Sequence, residues 1–228
     1  MKVILFLFIF VKKKNMVRLI LLLSMMMCLP LFGQYKVDTT ITNEAYSAYV
    51  NKELGQALYV KYKLYKGGGK CERATNWIND TKLKLVNENQ YKGSRYDKGH
   101  LANAEDFAYD CHLDSLTFRD YNRLPQTRKL NRGIWKTTET EIRKMSQTDS
   151  LMVYSGGYWG SQNTVVNGMK IPSLCWKVVY SLSLKKVVLC SMYYNTDTPV
   201  KTDTDLVKLE SILGYSLGIV NNVKKKKK

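Results

Sequence analysis

Only two histidines occur among the 228 residues, and one of them stands in company that could do chemistry. His100 closes the run Tyr96-Asp97-Lys98-Gly99-His100, and thirty-one residues later Asn131-Arg132-Gly133-Ile134-Trp135 opens a segment with helical periodicity. Thr117, Phe118, Asn122, Pro125 and Gln126 lie between them, and Glu139 and Arg143 follow, one helical turn apart. An imidazole is neutral at pH 7 unless its pKa is raised, so it can take a proton from a water held beside it. Residues 119–144 hold eight Lys or Arg against three acids, which would favour an anion there or form only a solvated face. Each residue also has an ordinary reading. A single histidine is more often structural, and His112, beside Cys111, has no more than that reading. Asn131 could cap the helix, and Glu139 with Arg143 could be a surface pair worth about 0.3–0.5 kcal/mol.

Bringing such a set together requires strands and a helix that unite distant segments. Residues 57–65 alternate, with Leu58, Val60, Tyr62 and Leu64 on one face and Tyr59, Lys61, Lys63 and Tyr65 on the other. This predicts a half-buried strand ending at Gly67–Gly69, a glycine run that lacks P-loop spacing and reads as a turn. Further strands are expected at Leu151–Tyr154, closed by Gly156 and Gly157, and at Ser173–Leu182 and Lys186–Tyr194, the last two forming an antiparallel hairpin around Leu184. Between Asn131 and Met145 the period is helical, with Ile134, Trp135, Ile142 and Met145 as the apolar stripe. Strands flanking a central helix predict an α+β fold.

Composition sets the frame. With 45% hydrophobic residues, 11% aromatics and 4 Pro, the chain is not disordered, and collagen, coiled-coil and multispan membrane classes are excluded. Two apolar runs, Met1–Val11 and Leu19–Phe32, fall short of the roughly 20 residues that span a bilayer. The second follows Arg18 and ends at Gly33, the layout of a secretory signal over residues 1–33, with Met16 an alternative start. That predicts export, to the exterior or the periplasm; an uncleaved membrane anchor and a lipoprotein cut at Cys28 are weaker alternatives. No repeat or linker divides residues 34–223, so one domain is expected, followed by a disordered lysine tail at 224–228. The formal charge of +17 falls to +12 without residues 1–33 and to +7 without the tail as well, so the body itself is basic and suits polyanionic partners. Four cysteines remain after Cys28, an even number that fits two disulfides in an exported protein. Of three possible pairings, Cys71 with Cys111 and Cys175 with Cys190 is expected; no CxxC spacing supports zinc.

The ordered set resembles a known family, the DNA/RNA non-specific endonucleases of the ββα-metal superfamily. The matching text is YKGSRYDKGHLANAEDF, TFRDYNRLPQ and LNRGIWKTTETEIR, with weaker likeness in ALYVKYKL, VYSGGY and IPSLCWKVVYSL, so it covers most of residues 55–195. The resemblance implies a central antiparallel sheet with helices and a ββα-metal catalytic motif. It departs at two places: Lys98 stands where the family has arginine, and Arg95 where a glycine is common. Lysine keeps the charge but loses the planar fork that grips phosphate oxygens.

The activity implied is Mg²⁺-dependent hydrolysis of phosphodiester bonds in DNA and RNA, with Mn²⁺ as a possible substitute. Water is a poor nucleophile and the 3′-oxygen a poor leaving group, so a base and a cation are both needed. His100 is the implied base, its ring held by Asp97 or a backbone carbonyl. The resemblance puts the single metal on the amide oxygen of Asn131, a hard ligand suited to Mg²⁺, with waters completing an octahedron that Glu139 holds from outside. Lys98 and Arg143 would neutralise phosphate and Asn122 would orient the site. Contacts to phosphate are blind to sequence, so low specificity and strong salt dependence are expected. The rival reading is a non-catalytic nucleic-acid or surface-binding protein on the same scaffold, made plausible by Lys98; a toxin needing a cognate inhibitor is weaker still, since no delivery domain is seen.

Overall fold

The computed structural model describes residues 35–80, 82–160 and 164–220. The expected export segment 1–33 and lysine tail 224–228 lie outside the described residues.

In chain order the strands are β1 (Thr39–Thr42), β2 (Ser47–Asn51), β3 (Gln56–Leu64), β4 (Tyr96–His100), β5 (Arg123–Thr127), β6 (Leu151–Tyr158), β7 (Thr164–Val166), β8 (Met169–Ile171), β9 (Leu174–Ser181), β10 (Lys186–Tyr194) and β11 (Lys201–Asp203). The helices are α1 (Glu88–Tyr91), α2 (Cys111–Leu116), α3 (Arg128–Leu130), α4 (Lys136–Met145) and α5 (Leu206–Leu213), with a π-helical turn at Asn131–Trp135 joining α3 to α4. Seven strands form one antiparallel sheet in the order β1-β2-β3-β6-β9-β10-β11, while β4 pairs with β5 alone. The α+β class is therefore what the strand and helix periods predicted, and the central antiparallel sheet is what the family resemblance implied.

The alternation in β3 holds in its second half, where Tyr62 and Leu64 are buried and Lys63 is exposed. Its first half is buried on both faces, because Tyr59 stacks on Tyr49 at 4.2 Å and on Tyr215 at 5.7 Å, so the chain after α5 covers the outer side. The strand at 151 does not stop at Gly156 and Gly157 but runs through them to Tyr158. Gly156 is a close-approach residue: a Cβ there would lie 2.3 Å from the Leu58 carbonyl oxygen and 2.6 Å from the Trp176 ring. The β9–β10 hairpin is as expected, with Lys186 opposite Ser181 and Tyr194 opposite Leu174.

The β4–β5 pair and the helix after it carry the histidine motif. His100 lies opposite Arg123 and Gly99 opposite Leu124. Gly99 leaves room for Gln126, since a Cβ would sit 2.1 Å from the Gln126 side-chain oxygen and force that buried side chain to move. The helix begins earlier than expected, at Arg128, with Thr127 as its cap: the Thr127 hydroxyl accepts from the Leu130 N–H at 3.2 Å. Asn131 thus lies within the helical run, where its backbone N–H closes α3 on the Arg128 carbonyl, and it is not the N-cap. Trp135 is fully buried with Leu130, Cys175 and Tyr193, and Ile142 joins the main core. Among the described residues no helix is long and apolar enough to cross a membrane.

One expected disulfide forms and the other does not. Cys71 is bonded to Cys111, tying the irregular segment before Ile78 to the start of α2. Cys175 and Cys190 are both free and buried. Cys190 lies opposite Val178, three residues from Cys175 along β9, and an odd offset puts the two side chains on opposite faces of the sheet. Denatured, unreduced protein from residue 34 onward should accordingly titrate two thiols; none or four would contradict the pairing. The departure at Arg95 also has a structural cost, because this exposed residue has φ of +68°, the left-handed region that favours glycine. Arg95→Gly should raise unfolding stability by about 0.5–1 kcal/mol in a denaturant titration, after the entropy that glycine adds to the unfolded chain. A loss of stability would mean the arginine side chain holds something in place.

Candidate active site

His100 ends β4 with its ring packed against Trp77 (centroids 4.6 Å apart) and edge-on to Phe118 (4.9 Å). Only 6% of the residue is exposed, and its Nε2 has no hydrogen-bond partner among the described residues. Burial drives its pKa down to about 3, assisted by the nearby charges of Arg73, Arg123, Lys177 and Lys98. The imidazole is therefore neutral at physiological pH, with a buried nitrogen available as an acceptor.

The ring's neighbours are held by a second layer. Trp77 belongs to an irregular segment that Ile78 pins to Phe118 and Asp120 by backbone hydrogen bonds, and that the Cys71–Cys111 bridge anchors upstream. The Arg123 guanidinium is buried between Trp77 (4.7 Å) and Tyr91 (5.0 Å) and is ion-paired to Asp120. Neither Trp77 nor Arg123 was flagged by the sequence, since nothing in CERATNWIND or DYNRLPQ shows that these residues meet His100.

A cavity of about 300 Å³ joins His100, Lys98, Asn131, Glu139 and Arg143, together with Arg73, Asn103, Glu105, Arg132 and Lys136. Five of the seven expected site residues thus share one space. Asp97 does not hold the histidine ring. Its carboxylate accepts from Asn131 Nδ2 at 3.1 Å and from Arg132 Nε at 2.7 Å, and these partners hold it ionised below the usual carboxylate range despite partial burial. Asn122 is absent from the cavity lining: fully buried, its Oδ1 accepts from Ala102 N–H at 2.8 Å and its Nδ2 donates to the carbonyls of Ala102 and Thr117. It fastens the turn that leaves His100 instead of facing a substrate. Lys98 lines the cavity, yet its Nζ is 2.5 Å from Glu88, whose pKa it lowers.

Glu139 and Arg143 are not the surface pair that their spacing allowed. Arg143 binds Asp106 at 2.5 Å and Glu105 at 3.5 Å, and Asp106, 1% exposed, also accepts from Tyr62 at 2.8 Å. Glu139 is 6% exposed with Oε1 unpartnered by hydrogen bonds, and burial lifts its pKa to about 7 against the pull of Lys177. Lys177, fully buried, lies 3.6 Å from Glu139 Oε1, donates to Ser155 at 3.2 Å and stands 4.0 Å from the Trp135 ring centre. The sequence reading missed Lys177, although a lysine inside the apolar strand text CWKVVY was a signal that could have found it.

The donor set suits a hard, hydrated cation. Because Asn131 gives its Nδ2 to Asp97, the amide orientation is fixed, leaving Oδ1 as the group that can bind an ion. Asn131 and Glu139 supply oxygens to one cavity, and among the described residues no group of three or more His, Cys, Asp or Glu could bind a metal. A few oxygen donors and many waters are the usual environment of Mg²⁺ and not of zinc.

Residues 27–215 match the sequence profile of the DNA/RNA non-specific endonuclease family, and the chain belongs to that family. The family is divalent-metal dependent. A protein called Nuclease from Nostoc sp. (strain PCC 7120) is 29% identical over 143 residues, which is 60% of this chain and 52% of that protein. The chain therefore spans about half the length of that curated relative. A chain from the crystal structure of the EndoG/EndoGI complex superposes with a TM-score of 0.67 at 19% identity, covering 80% of this chain and 86% of that one, and so shares its fold.

The buried pair yields a pH-dependent test. Removing one partner of a buried ion pair typically costs about 3–5 kcal/mol. Glu139 has a folded pKa above its ordinary value, so its folded state binds a proton more readily and its contribution to stability is lost as pH rises through about 7. Lys177→Met should therefore destabilise strongly at pH 8 and less at pH 5, where protonated Glu139 no longer needs a cation. A deficit equal at both pH values, measured by urea unfolding, would show that the two side chains are not coupled.

Proposed function

We propose that this protein is a divalent-cation-dependent endonuclease of low sequence specificity that hydrolyses phosphodiester bonds of DNA and RNA. One observation carries the reading: His100 Nε2, a buried polar atom with no hydrogen-bond partner among the described residues, and Glu139 Oε1, which faces only the Lys177 ammonium at 3.6 Å, belong to side chains that line the same basic cavity. Leaving an atom such as His100 Nε2 unsatisfied costs about 1–3 kcal/mol. That cost is understandable where a ligand completes it.

In this proposal His100 Nε2 accepts a proton from the attacking water, whose oxygen then forms the new bond to phosphorus as the bond to the leaving oxygen breaks. The ring needs no prior deprotonation, since burial already keeps it neutral. Asn131, oriented by Asp97, would hold the cation, Mg²⁺ by preference and Mn²⁺ in its place, with Glu139 beside it. Bound there, the ion would stabilise charge on the phosphoryl and leaving oxygens as a Lewis acid. Arg73 and Lys136 offer positive charge to the phosphate, a role expected of Lys98 that its pairing with Glu88 weakens, as the Asp97 pairing weakens it for Arg132. Asn122 acts by holding the backbone after His100. Arg143 acts through Asp106 and Glu105 on the cavity wall.

Export, to the exterior or the periplasm, belongs to the same proposal. The Cys71–Cys111 disulfide supports it, because such bonds persist in oxidising compartments. A second reading, a nucleic-acid binder with little activity, is favoured by the occupied Lys98. Incubating the protein from residue 34 onward with supercoiled plasmid and Mg²⁺ separates the two. Nicking followed by degradation, abolished by EDTA, is expected; intact plasmid with a gel shift would establish the binder. His100→Ala should abolish cleavage and leave plasmid affinity within a few fold, whereas equal cleavage would remove His100 from the chemistry.

A further inference from the structure

A second cavity opens beside the first, sharing Arg143 with it. It is lined by Lys66, the three glycines Gly67–Gly69, Arg143 and Lys144, and the rest of its lining is uncharged. No carboxylate faces it. Arg143 is matched by Asp106 and Glu105, but Lys66 and Lys144 form no ion pair among the described residues. Both lysines are exposed.

The glycine turn adds donors to these cations. The loop is fixed from below: Lys66 N–H donates to the Ser146 carbonyl at 2.8 Å, Gly67 N–H to the Ser146 hydroxyl at 3.1 Å, and Gln147 donates to the Gly67 carbonyl at 2.8 Å. The N–H groups of Gly68 and Gly69 have no acceptor among the described residues. Gly68 has φ of +106°, and a Cβ on Gly69 would strike the Ala108 carbonyl at 1.9 Å, so the turn is closed to other residues. Backbone N–H groups presented beside cations form an anion-binding concavity. Lys144 follows Glu139 by five residues on α4, about 7.5 Å along the helix axis and about 140° around it, so the two cavities open on neighbouring faces of the helix and meet at Arg143.

We infer that this glycine-lysine cavity is a second phosphate subsite, which grips the sugar-phosphate backbone at a point flanking the bond held at His100. The inference rests on the proposed nuclease reading and extends it to a substrate contact outside the reaction cavity. The ligand is a nucleic-acid phosphodiester, bound through charge and backbone donors and therefore without regard to base. A strand spanning both cavities would be held at two points, which orients it across His100.

The test compares two charge reversals of equal size. Lys66→Glu/Lys144→Glu alters the cavity. Lys52→Glu/Lys84→Glu alters two exposed lysines beyond the other end of β3, a strand nine residues and roughly 30 Å long. Binding of a fluorescent 20-nucleotide DNA is followed by anisotropy in EDTA between 50 and 200 mM salt, so that nothing is cut. The cavity pair should weaken binding roughly tenfold and reduce the magnitude of the salt slope by about 1.4, since each lost contact on a single strand contributes about 0.7. The distant pair should change affinity by less than threefold and leave the slope alone. Equal losses in both pairs, or no loss in the cavity pair, overturn the subsite. With Mg²⁺ present, cleavage of a small phosphodiester such as bis(p-nitrophenyl) phosphate should be the same in both pairs and in the parent. If the parent cuts neither plasmid nor the small ester while the binding difference persists, the nuclease reading fails and the phosphate subsite stands.

Discussion

The site depends on keeping an imidazole out of water without giving it a partner. His100 is enclosed by Trp77 and Phe118 and ringed by cations, and each of these facts disfavours the charged ring. The result is a ring that is unprotonated at neutral pH, and burial that keeps it free of a proton also lowers its basicity. The enclosure in turn requires the rest of the local architecture: Gly99 to admit Gln126, Arg123 to back Trp77, and the Cys71–Cys111 bridge to hold the irregular segment that carries Trp77.

Beneath the cavity the protein buries charges in compensating sets. Asp106 answers Arg143 and receives Tyr62, while Lys177 answers Glu139 and rests on Trp135. Such networks rarely add net stability over a well-packed apolar core, but they fix the direction of each group. Here they hold Glu139 on the wall of the cavity that Asn131 also lines, with little freedom to turn toward solvent. Tyr62 on β3 and Lys177 on β9 flank β6, whose Ser155 accepts from Lys177, so the register of these neighbouring strands sets the spacing of the floor.

Much of the fold could be read from period and punctuation. The hairpin β9–β10 and the helix ending at Met145 followed from alternation and from an apolar stripe. The glycines in β6 misled because a close-approach glycine and a turn glycine are the same letter, and only Leu58 and Trp176 distinguish them. The motif order is local and distinctive, so His100, Asn131 and Glu139 could be picked out together, and the fold brings them to one cavity. Trp77, Arg123 and Lys177 were not, because their importance comes from packing across 20 to 80 residues of sequence. Asp97 and Asn122 were correctly tied to the motif but given the wrong neighbours: one aligns Asn131 and the other staples a turn. Spacing alone gives no side-chain direction for such residues.

The most direct measurement is the titration of the His100 ring itself by ¹⁵N NMR of histidine-labelled protein, with His112→Gln used to assign the signal. A ring that stays neutral down to about pH 3, as long as the fold persists, is the predicted result. A ring that gains its proton near the ordinary value of about 6.5 would contradict the account, because the enclosure that keeps it neutral would not exist.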